Sequence, residues 1–248
     1  MKRLGWLLFA LVFITSCRPE PAGGTATENG DSISLVADDR SPDTSRFEED
    51  TLAPNRENWQ KPQAIISRLG DLSEKTVADI GAGTGYFTMR LAQKARKVIA
   101  IDIEAEYLDY ISRASSSRKA QKMNIETRQT EVDDPSLHPD EADLVMVVNT
   151  FSYIDDRVHY FQKVLSGISP GGRLVVIDFK KRELPVGPPV ETKVAAPYVV
   201  SQLDSAGFNA IEIDSSALEF QFIVTAYKLP EDAPTLPEGT PSPTPGTP

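Results

Sequence analysis

A short segment of the chain places glycine at every second position, between a candidate strand and a candidate helix. Its glycines are Gly81, Gly83 and Gly85. An acid, Asp79, lies two residues before the first of them. Glycine permits a tight turn and lets a ligand approach the backbone closely. The first turn of the following helix would add unpaired N–H groups and the positive end of a dipole. This arrangement predicts a loop that holds a small ligand.

A second acid ends the next candidate strand, in the segment VIAIDIE. Asp102 follows Gly81 by 21 residues. A carboxylate can accept several hydrogen bonds, so an acid at this position suits the two hydroxyls of a ribose. The alternative interpretation is that Asp102 caps the helix that follows it.

These residues must be positioned by strands that end near one another. Apolar residues recur at helical spacing over 57–69, and alternating strands and helices follow. The predicted strands are 76–80, 97–102, 124–129, 142–149, 172–179, 210–214 and 221–228. The predicted helices after the first are 86–95, 105–116, 157–167 and 195–206. The runs LVMVV and VVIDF are apolar almost throughout, as is typical of parallel strands buried on both faces.

The alternation predicts an α/β fold, with an open sheet and helices on both sides. The last two predicted strands leave no room for a helix between them. They therefore predict an antiparallel hairpin at one edge of the sheet.

Composition limits the partners and the chemistry. The formal net charge is −10, and no cluster of basic residues of the kind that forms a nucleic-acid-binding face stands out, so we expect no nucleic-acid partner. The chain has one cysteine, Cys17, which excludes an intramolecular disulfide. With only two histidines, His138 and His159, we expect no metal centre.

The segment DIGAGTG resembles motif I of class I S-adenosylmethionine-dependent methyltransferases. Dinucleotide-binding loops use G-x-G-x-x-G instead, and their third glycine would fall at Tyr86. The segment GGRLVVIDF resembles the fifth strand of small-molecule methyltransferases, and the resemblance extends from Arg56 to Lys228. It implies a Rossmann-like class I methyltransferase fold with a mostly parallel seven-stranded sheet. It also implies S-adenosylmethionine as the cofactor, with Asp79 near its amino group.

The same resemblance implies further cofactor contacts. Together with Asp79 and the three glycines, the implied contacts are Ala82, Tyr86, Asp102, Ile103, Asp133, Asp134 and Asn149. Asp133 would lie near the adenine amino group, with Asp134 as a second candidate in the same turn. The alternative for this pair is an Asx-type turn before Pro135. Asn149 ends the fourth predicted strand and would border the transferred methyl group.

The implied function is methyl transfer to a small-molecule acceptor that the sequence does not identify. The sulfonium cofactor carries an already activated methyl group, so neither a metal nor a covalent nucleophile is required. No catalytic side chain and no oligomeric state is predicted. One alternative is a non-catalytic binding module of the cell envelope that keeps the cofactor fold. A nucleotide-dependent oxidoreductase is disfavoured by the glycine spacing.

The first residues predict an export signal. Lys2 and Arg3 precede a short apolar run, which ends in a segment, ITSC, that resembles the bacterial lipobox. The resemblance implies a signal peptide over residues 1–16, lipidation of Cys17 and attachment to a membrane on its extracytoplasmic, periplasmic side. Arg18 would imply sorting to the outer membrane in a Gram-negative cell.

The remaining segments frame the predicted domain, which covers residues 46–229. Residues 17–45 are rich in small, polar and acidic residues, which predicts a flexible tether. Residues 230–248 contain seven prolines, which predicts a disordered, extended tail.

Export would separate the protein from the cytosol, where S-adenosylmethionine is made. Either the cofactor reaches the envelope, or some protein stays inside, or the domain no longer catalyses.

Overall fold

The structure, a computed structural model, describes residues 55–116 and 123–230. The predicted signal peptide, Cys17 and the tether lie outside the described residues, as do residues 231–248 of the predicted tail. No helix in the described ranges is long and apolar enough to cross a bilayer.

Strands and helices alternate along the chain as predicted. The strands are β1 (Thr76–Ile80), β2 (Lys97–Asp102), β3 (Ile125–Gln129), β4 (Ala142–Val148), β5 (Ile168–Phe179), β6 (Asn209–Asp214) and β7 (Gln221–Tyr227). The helices are α1 (Arg56–Gln60), α2 (Pro62–Arg68), α3 (Thr88–Leu91), α4 (Ala105–Ser116), α5 (Arg157–Gly167) and α6 (Ala196–Ser205). A 3₁₀ turn, Phe151–Tyr153, follows β4.

The seven strands form one sheet in the order β3-β2-β1-β4-β5-β7-β6. Neighbouring strands from β3 to β5 are parallel, whereas β7 runs antiparallel to both β5 and β6. The predicted mostly parallel sheet with an antiparallel edge hairpin is therefore confirmed. The strand order reverses between β1 and β4, and in such sheets a ligand crevice forms beyond the carboxyl ends at this reversal.

Apolar side chains cover both faces of the sheet. All five residues of β1 are buried, and successive residues point to opposite faces. Val77 packs with Ile65 and Leu91 on one face. Ala78 packs on the other face, in a cluster that includes Phe161 of α5. Burial on both faces explains why the central strands are apolar almost throughout.

The helix predicted over residues 57–69 is divided into α1 and α2. Lys61 separates the two helices, with a left-handed φ of 51°. Pro62 follows it, and proline clashes with a helical conformation of the residue before it while it suits the first turn of a new helix. The break therefore comes from Pro62, which the apolar periodicity alone did not reveal.

The helix predicted over residues 86–95 is also shorter than expected, because α3 has only four residues. The chain continues from Leu91 as hydrogen-bonded turns, and the N–H group of Arg96 then bonds to the carbonyl of Leu72 at 3.2 Å. This bond directs the chain into β2. By contrast, β5 is longer than predicted. It begins at Ile168 rather than at 172, because Ile168 pairs with Ala142 ahead of an irregularity in the pairing of β4 with β5.

Candidate functional site

A cavity of about 630 Å³ opens beyond the carboxyl ends of β1, β2, β3 and β4. This volume lies in the range of small-molecule and cofactor sites. The predicted contacts that line it are Asp79, Gly81, Ala82, Gly83, Tyr86, Asp102, Ile103 and Asn149. The structure thus brings together most of the residues that the sequence singled out. Gly85, Asp133 and Asp134 do not line the cavity.

Asp102 joins the tip of β2 to the glycine loop. The N–H group of Gly83 donates to its Oδ2 atom at 2.7 Å, and the N–H group of Glu104 donates to its Oδ1 atom at 3.0 Å. The side chain is buried, with 8% exposure, yet it lines the cavity. A carboxylate offers about four acceptor positions, so each oxygen keeps capacity for a further hydrogen bond. The two protein bonds hold the carboxylate in a fixed orientation for such a partner.

The first two amide groups of the glycine loop are engaged within the protein. The N–H groups of Gly81 and Ala82 both donate to the carbonyl of Ile101, at 2.9 and 3.1 Å. They are already occupied by β2, and the four-residue α3 provides only a weak helix dipole. At Gly81 and Ala82 the loop therefore contributes a rigid link to β2 rather than free amide donors.

The three glycines serve different purposes. At Gly81 an added Cβ atom would lie 2.2 Å from Oγ1 of Thr150, and at Gly85 it would lie 2.8 Å from Cγ1 of Ile111. At Gly83 no atom lies within 4 Å of the added Cβ. Gly81 and Gly85 thus allow close packing within the protein, and Gly83 leaves open space in the cavity wall. Gly85 packs against α4 and does not line the cavity, so its predicted contact with a ligand stays a prediction without support from the cavity geometry.

Asp79 is the most deeply buried acid in the cavity wall, with 2% exposure. Thr88 donates its hydroxyl to Oδ2 of Asp79 at 2.7 Å. Burial raises the pKa of Asp79 to about 6, and this effect exceeds the opposing effect of the Thr88 hydrogen bond. The negative charge of Asp102 raises this pKa further, whereas the Arg56 guanidinium lowers it. A cationic group bound beside Asp79 would favour the ionised carboxylate.

The turn after β3 contributes different residues from those predicted. Thr130, Glu131 and Val132 line the cavity there. Asp134 instead accepts the N–H group of Ser136 at 2.8 Å, which is the Asx-type turn of the alternative interpretation. Asp133 is exposed, and its carbonyl accepts a hydrogen bond from Lys163. The two carboxylates therefore lie outside the cavity, because the turn presents the preceding residues to it.

Two apolar side chains border the cavity with large exposed areas. Ile103 is 46% exposed and Val132 is 70% exposed. They follow the acid at the end of β2 and the end of β3. An apolar surface of this kind, next to a carboxylate, suits the flat face of a nucleobase.

The opposite end of the cavity is formed by α1, the glycine loop and the segment after β4. The guanidinium carbons of Arg56 and Arg90 lie 3.8 and 4.0 Å from the centroid of the Tyr86 ring. Asn149 adopts a left-handed φ of 58°, and Tyr153 beyond it is 68% exposed. Neither His138 nor His159 lines the cavity, and both are exposed.

Several residues of the cavity wall were not predicted. They include Arg56, Glu104, Tyr107, Thr130, Glu131, Val132 and Tyr160, whereas Thr150 and Tyr153 belong to the segment after β4 that was expected to border the transferred methyl group. Many of them lie within a few residues of a strand end, so their position in the sequence was a usable signal. Arg56 and Tyr160 lie on helices, and no local pattern marked them. The described ranges contain no group of three or more metal-ligating side chains.

Comparison with known proteins agrees with this geometry. Residues 77–172 match a family described as a methyltransferase domain. A trans-aconitate 2-methyltransferase from Rhodopseudomonas palustris is 27% identical over 133 residues, which cover 53% of this chain and 46% of that enzyme. A demethylmenaquinone methyltransferase from Tropheryma whipplei is 30% identical over 123 residues, covering 49% and 48%. The chain thus spans less than half the length of these two relatives.

The fold extends the similarity beyond the matched family region. A crystal structure of a SAM-dependent methyltransferase from Aquifex aeolicus superimposes with a TM-score of 0.66 and 25% sequence identity. The match covers 76% of this chain and 100% of that one. The described residues include the whole seven-stranded sheet and the cavity at its point of strand reversal. Residues 77–172 thus resemble a methyltransferase domain, and the described residues adopt the Rossmann-like fold of the class I S-adenosylmethionine-dependent methyltransferases.

Proposed function

We propose that the domain binds S-adenosylmethionine in the cavity and transfers its methyl group to a small-molecule acceptor. The observation that carries the proposal is the hydrogen bond between Gly83 and Asp102. This bond fixes a carboxylate beside the one loop glycine whose missing side chain leaves open space. The pair forms a cradle for a nucleoside, with one surface for the ribose and room for the atoms attached to it.

The residues around this cradle suit each part of the cofactor. Asp102 keeps acceptor capacity for the two ribose hydroxyls, and Ile103 and Val132 offer apolar surface to the adenine. Asp79 places a buried carboxylate where the cationic amino group would lie. The cavity therefore fits the cofactor along its whole length, in the order base, sugar and amino acid.

When bound, S-adenosylmethionine supplies an activated methyl group on a sulfonium. The chain's own residues hold the acceptor at reactive distance and exclude water. Asn149, Thr150 and Tyr153 border the cavity after β4, so we assign them to the acceptor end. Because neither histidine lines the cavity, no histidine is assigned to proton removal.

The acceptor is proposed to be small because the two relatives act, by their names, on trans-aconitate and on demethylmenaquinone. These compounds differ greatly in polarity. The resemblance to both therefore supports a small-molecule acceptor without selecting its chemical class.

Binding is tested by calorimetric titration of the full chain with S-adenosylhomocysteine. We expect Asp102→Ala to weaken binding by about tenfold or more, because it removes hydrogen bonds between a charged acceptor and two hydroxyls. Asp109→Ala is a matched control, since Asp109 is an exposed acid on α4 outside the cavity. Equal affinity in wild type and Asp102→Ala would mean that the site is misplaced.

Catalysis is tested with methyl-labelled S-adenosylmethionine and a panel of small acids, amines and phenols. Transfer of label by the wild type, and its loss in Gly83→Val, would support the enzyme. Valine at Gly83 would occupy the open space and strain a backbone with a φ of 51°. Binding of S-adenosylhomocysteine without transfer to any acceptor would favour the non-catalytic binding module.

We also propose that lipidation of Cys17 anchors the domain to a membrane on its extracytoplasmic side. The support is the lipobox-like segment ITSC after a basic and apolar leader. Acyl chains add roughly 0.8 kcal/mol of membrane affinity for each buried methylene. Cys17→Ser should move the protein from the membrane fraction to the soluble fraction. Retention of the variant in membranes would count against lipidation.

A further inference from the structure

The segment after β4 presents an aromatic ring at the rim of the cavity. Tyr153 lines the cavity, yet its side chain remains largely exposed to solvent. It ends the 3₁₀ turn that begins at Phe151, and its N–H group donates to the carbonyl of Thr150 at 3.0 Å. Thr150 lies directly against Gly81, so the turn adjoins the glycine loop. The ring of Tyr153 is therefore a surface that a ligand in the cavity can contact.

Two sets of contacts hold this turn in place. Nη2 of Arg157 donates to the carbonyl of Ser152 at 2.8 Å, and Nε of Arg157 donates to the carbonyl of Phe151 at 3.2 Å. The ring of Phe151 is fully buried and stacks on Phe161, with centroids 5.1 Å apart. The backbone that carries Tyr153 is thus fixed before a ligand binds, which reduces the ordering cost of a contact with its ring.

The wall next to the turn consists of apolar and uncharged side chains. Val148, Ile154 and Tyr160 line the cavity there, and all three are buried. Asn149 and Thr150 add polar groups that carry no charge. A planar ring system suits this surface, because contact between two aromatic rings stabilises a complex beyond the area that it buries.

The charged side chains of the cavity wall are mostly acidic. The acids among the lining residues are Asp79, Asp102, Glu104 and Glu131. Arg56 is the only cation that lines the cavity within residues 55–116 and 123–230. Its guanidinium donates to Oε1 of Gln60 at 2.7 Å and lies 3.8 Å from the centroid of the Tyr86 ring. A cleft lined mainly by one sign of charge repels ligands of that sign, so a negatively charged acceptor is disfavoured.

The basic residues after β5 do not offset this negative charge. Nζ of Lys180 donates to the carbonyls of Leu218 and Glu219, at 2.8 and 2.9 Å. Nη2 of Arg182 also donates to the carbonyl of Glu219, at 3.3 Å. Neither side chain lines the cavity. A bound cofactor would not reverse the balance either, because its ammonium and sulfonium exceed its carboxylate by a single positive charge.

We propose that the methyl acceptor is a planar ring compound without negative charge, and that Tyr153 selects it by stacking against the ring. This inference rests on the proposed function and narrows it to one class of acceptor. It also gives the exposed ring of Tyr153 a role that binding of the cofactor alone does not require.

Calorimetric titration of the full chain with three analogues of S-adenosylhomocysteine tests this class without knowledge of the acceptor. In each analogue a nitrogen replaces the sulfur and carries an arm in the position of the transferred methyl group. The arms end in a phenyl ring, a carboxamide or a carboxylate. We expect the phenyl arm to bind most tightly. The carboxylate arm should bind about tenfold more weakly than the carboxamide arm, which has the same shape without the charge.

The role of Tyr153 is tested by two substitutions at this position. Tyr153→Ala should weaken binding of the phenyl arm by about threefold to tenfold, because the contact between the rings is lost. Its affinity for the carboxamide arm and for S-adenosylhomocysteine should be unchanged. Tyr153→Phe keeps the ring and should keep the wild-type order. Because Tyr153 is largely exposed, neither substitution leaves a void in the core. Tyr110→Ala, on α4 and outside the cavity, is the control.

The outcomes separate this inference from the proposed function. A carboxylate arm that binds as tightly as the carboxamide arm would overturn the exclusion of anionic acceptors. A Tyr153→Ala variant that keeps the preference for the phenyl arm would overturn the role of Tyr153. Binding of S-adenosylhomocysteine without binding of any arm-bearing analogue would overturn the inference and leave the cofactor site intact. A wild type that binds none of these ligands would overturn the proposed function as well.

Discussion

The carboxyl ends of β1 and β5 carry the same unusual feature, but only β1 leads into the cavity. Asp79 in β1 and Asp178 in β5 are both 2% exposed. Burial raises the pKa of each to about 6. Asp79 lines the cavity, whereas Asp178 does not. A raised pKa therefore indicates only that a carboxyl group is desolvated. Contact of that group with the cavity is what distinguishes a residue of the candidate site from a residue of the core.

The two strand ends differ in what packs around them. Beyond β5, the ring of Trp59 lies 5.6 Å from the ring of Phe179, the neighbour of Asp178. The Oδ1 atom of Asp178 accepts the N–H group of Phe179 at 2.7 Å, and its Oδ2 atom is buried without a hydrogen-bond partner in the described residues. Beyond β1, the loop with Gly83 leaves open space instead. Packed aromatic rings thus close the end of β5, whereas the absence of a side chain at Gly83 leaves space at the end of β1.

The largest expected effect is a change in the free energy of unfolding that arises from Asp178 in β5. The folded-state pKa of Asp178 lies above the ordinary value of 3.8 for an aspartate, so the folded state holds this proton to higher pH and loses stability as pH rises from about 4 to about 6. A shift of about two units corresponds to roughly 3 kcal/mol. Asp178→Asn should therefore gain about that much unfolding free energy, relative to wild type, between pH 4 and pH 8. Urea denaturation at both pH values measures this.

Affinity for S-adenosylhomocysteine should be unchanged in Asp178→Asn. A stability difference that does not vary with pH would mean that Asp178 is not desolvated. Reduced ligand affinity would mean that the β5 end belongs to the site after all.

A smaller effect distinguishes the packing glycine from the open one. Gly85→Ala and Gly83→Ala both place alanine at a positive φ, which costs about 1–2 kcal/mol. At Gly85 the new methyl group would also overlap Ile111, which adds about 1–3 kcal/mol. Thermal and urea unfolding should show the Gly85 variant to be the less stable, although Gly83→Ala should weaken ligand binding more. Equal stability would contradict the close packing at Gly85.

The smallest effect is the pH dependence of ligand affinity at β1. The cationic amino group favours the ionised form of Asp79, whose pKa is about 6 in the free protein. Affinity for S-adenosylhomocysteine should therefore fall about tenfold between pH 7 and pH 5, as the carboxylate becomes protonated. Titrations across this range should show the decrease in wild type and in Asp178→Asn. Asp79→Asn should bind weakly with a flat profile, and a flat wild-type profile would remove Asp79 from the ammonium site.

Local patterns in the sequence predicted the parts of this site that depend on neighbouring residues. The bounds of β1 and β2 follow from their continuous apolar runs, and the cradle residues Gly83 and Asp102 follow from their positions at strand ends. The sequence left the turn after β3 open, because two adjacent acids resemble ligand contacts and turn residues equally well. Asp134 closes an Asx-type turn, which the sequence analysis had kept as an alternative.

The side-chain hydrogen bonds that join Gln60, Gln221 and Asn149 could not be predicted from the sequence. Gln60, Gln221 and Asn149 are far apart in the chain, and the edge hairpin brings them together only after β7 has paired with β5. No periodicity or motif marks a buried glutamine. These bonds depend on a contact between α1 and the sheet, so they are a property of the tertiary structure.

The central claim is that the cavity beyond β1 and β2 is the cofactor site, and hydrogen–deuterium exchange of the full chain with and without S-adenosylhomocysteine tests it most directly. We expect protection of peptides that contain residues 81–87 and 102–107, with no change in residues 178–182 beyond β5. Protection centred on residues 178–182, or no protection after β1 and β2 at saturating ligand, would contradict the account.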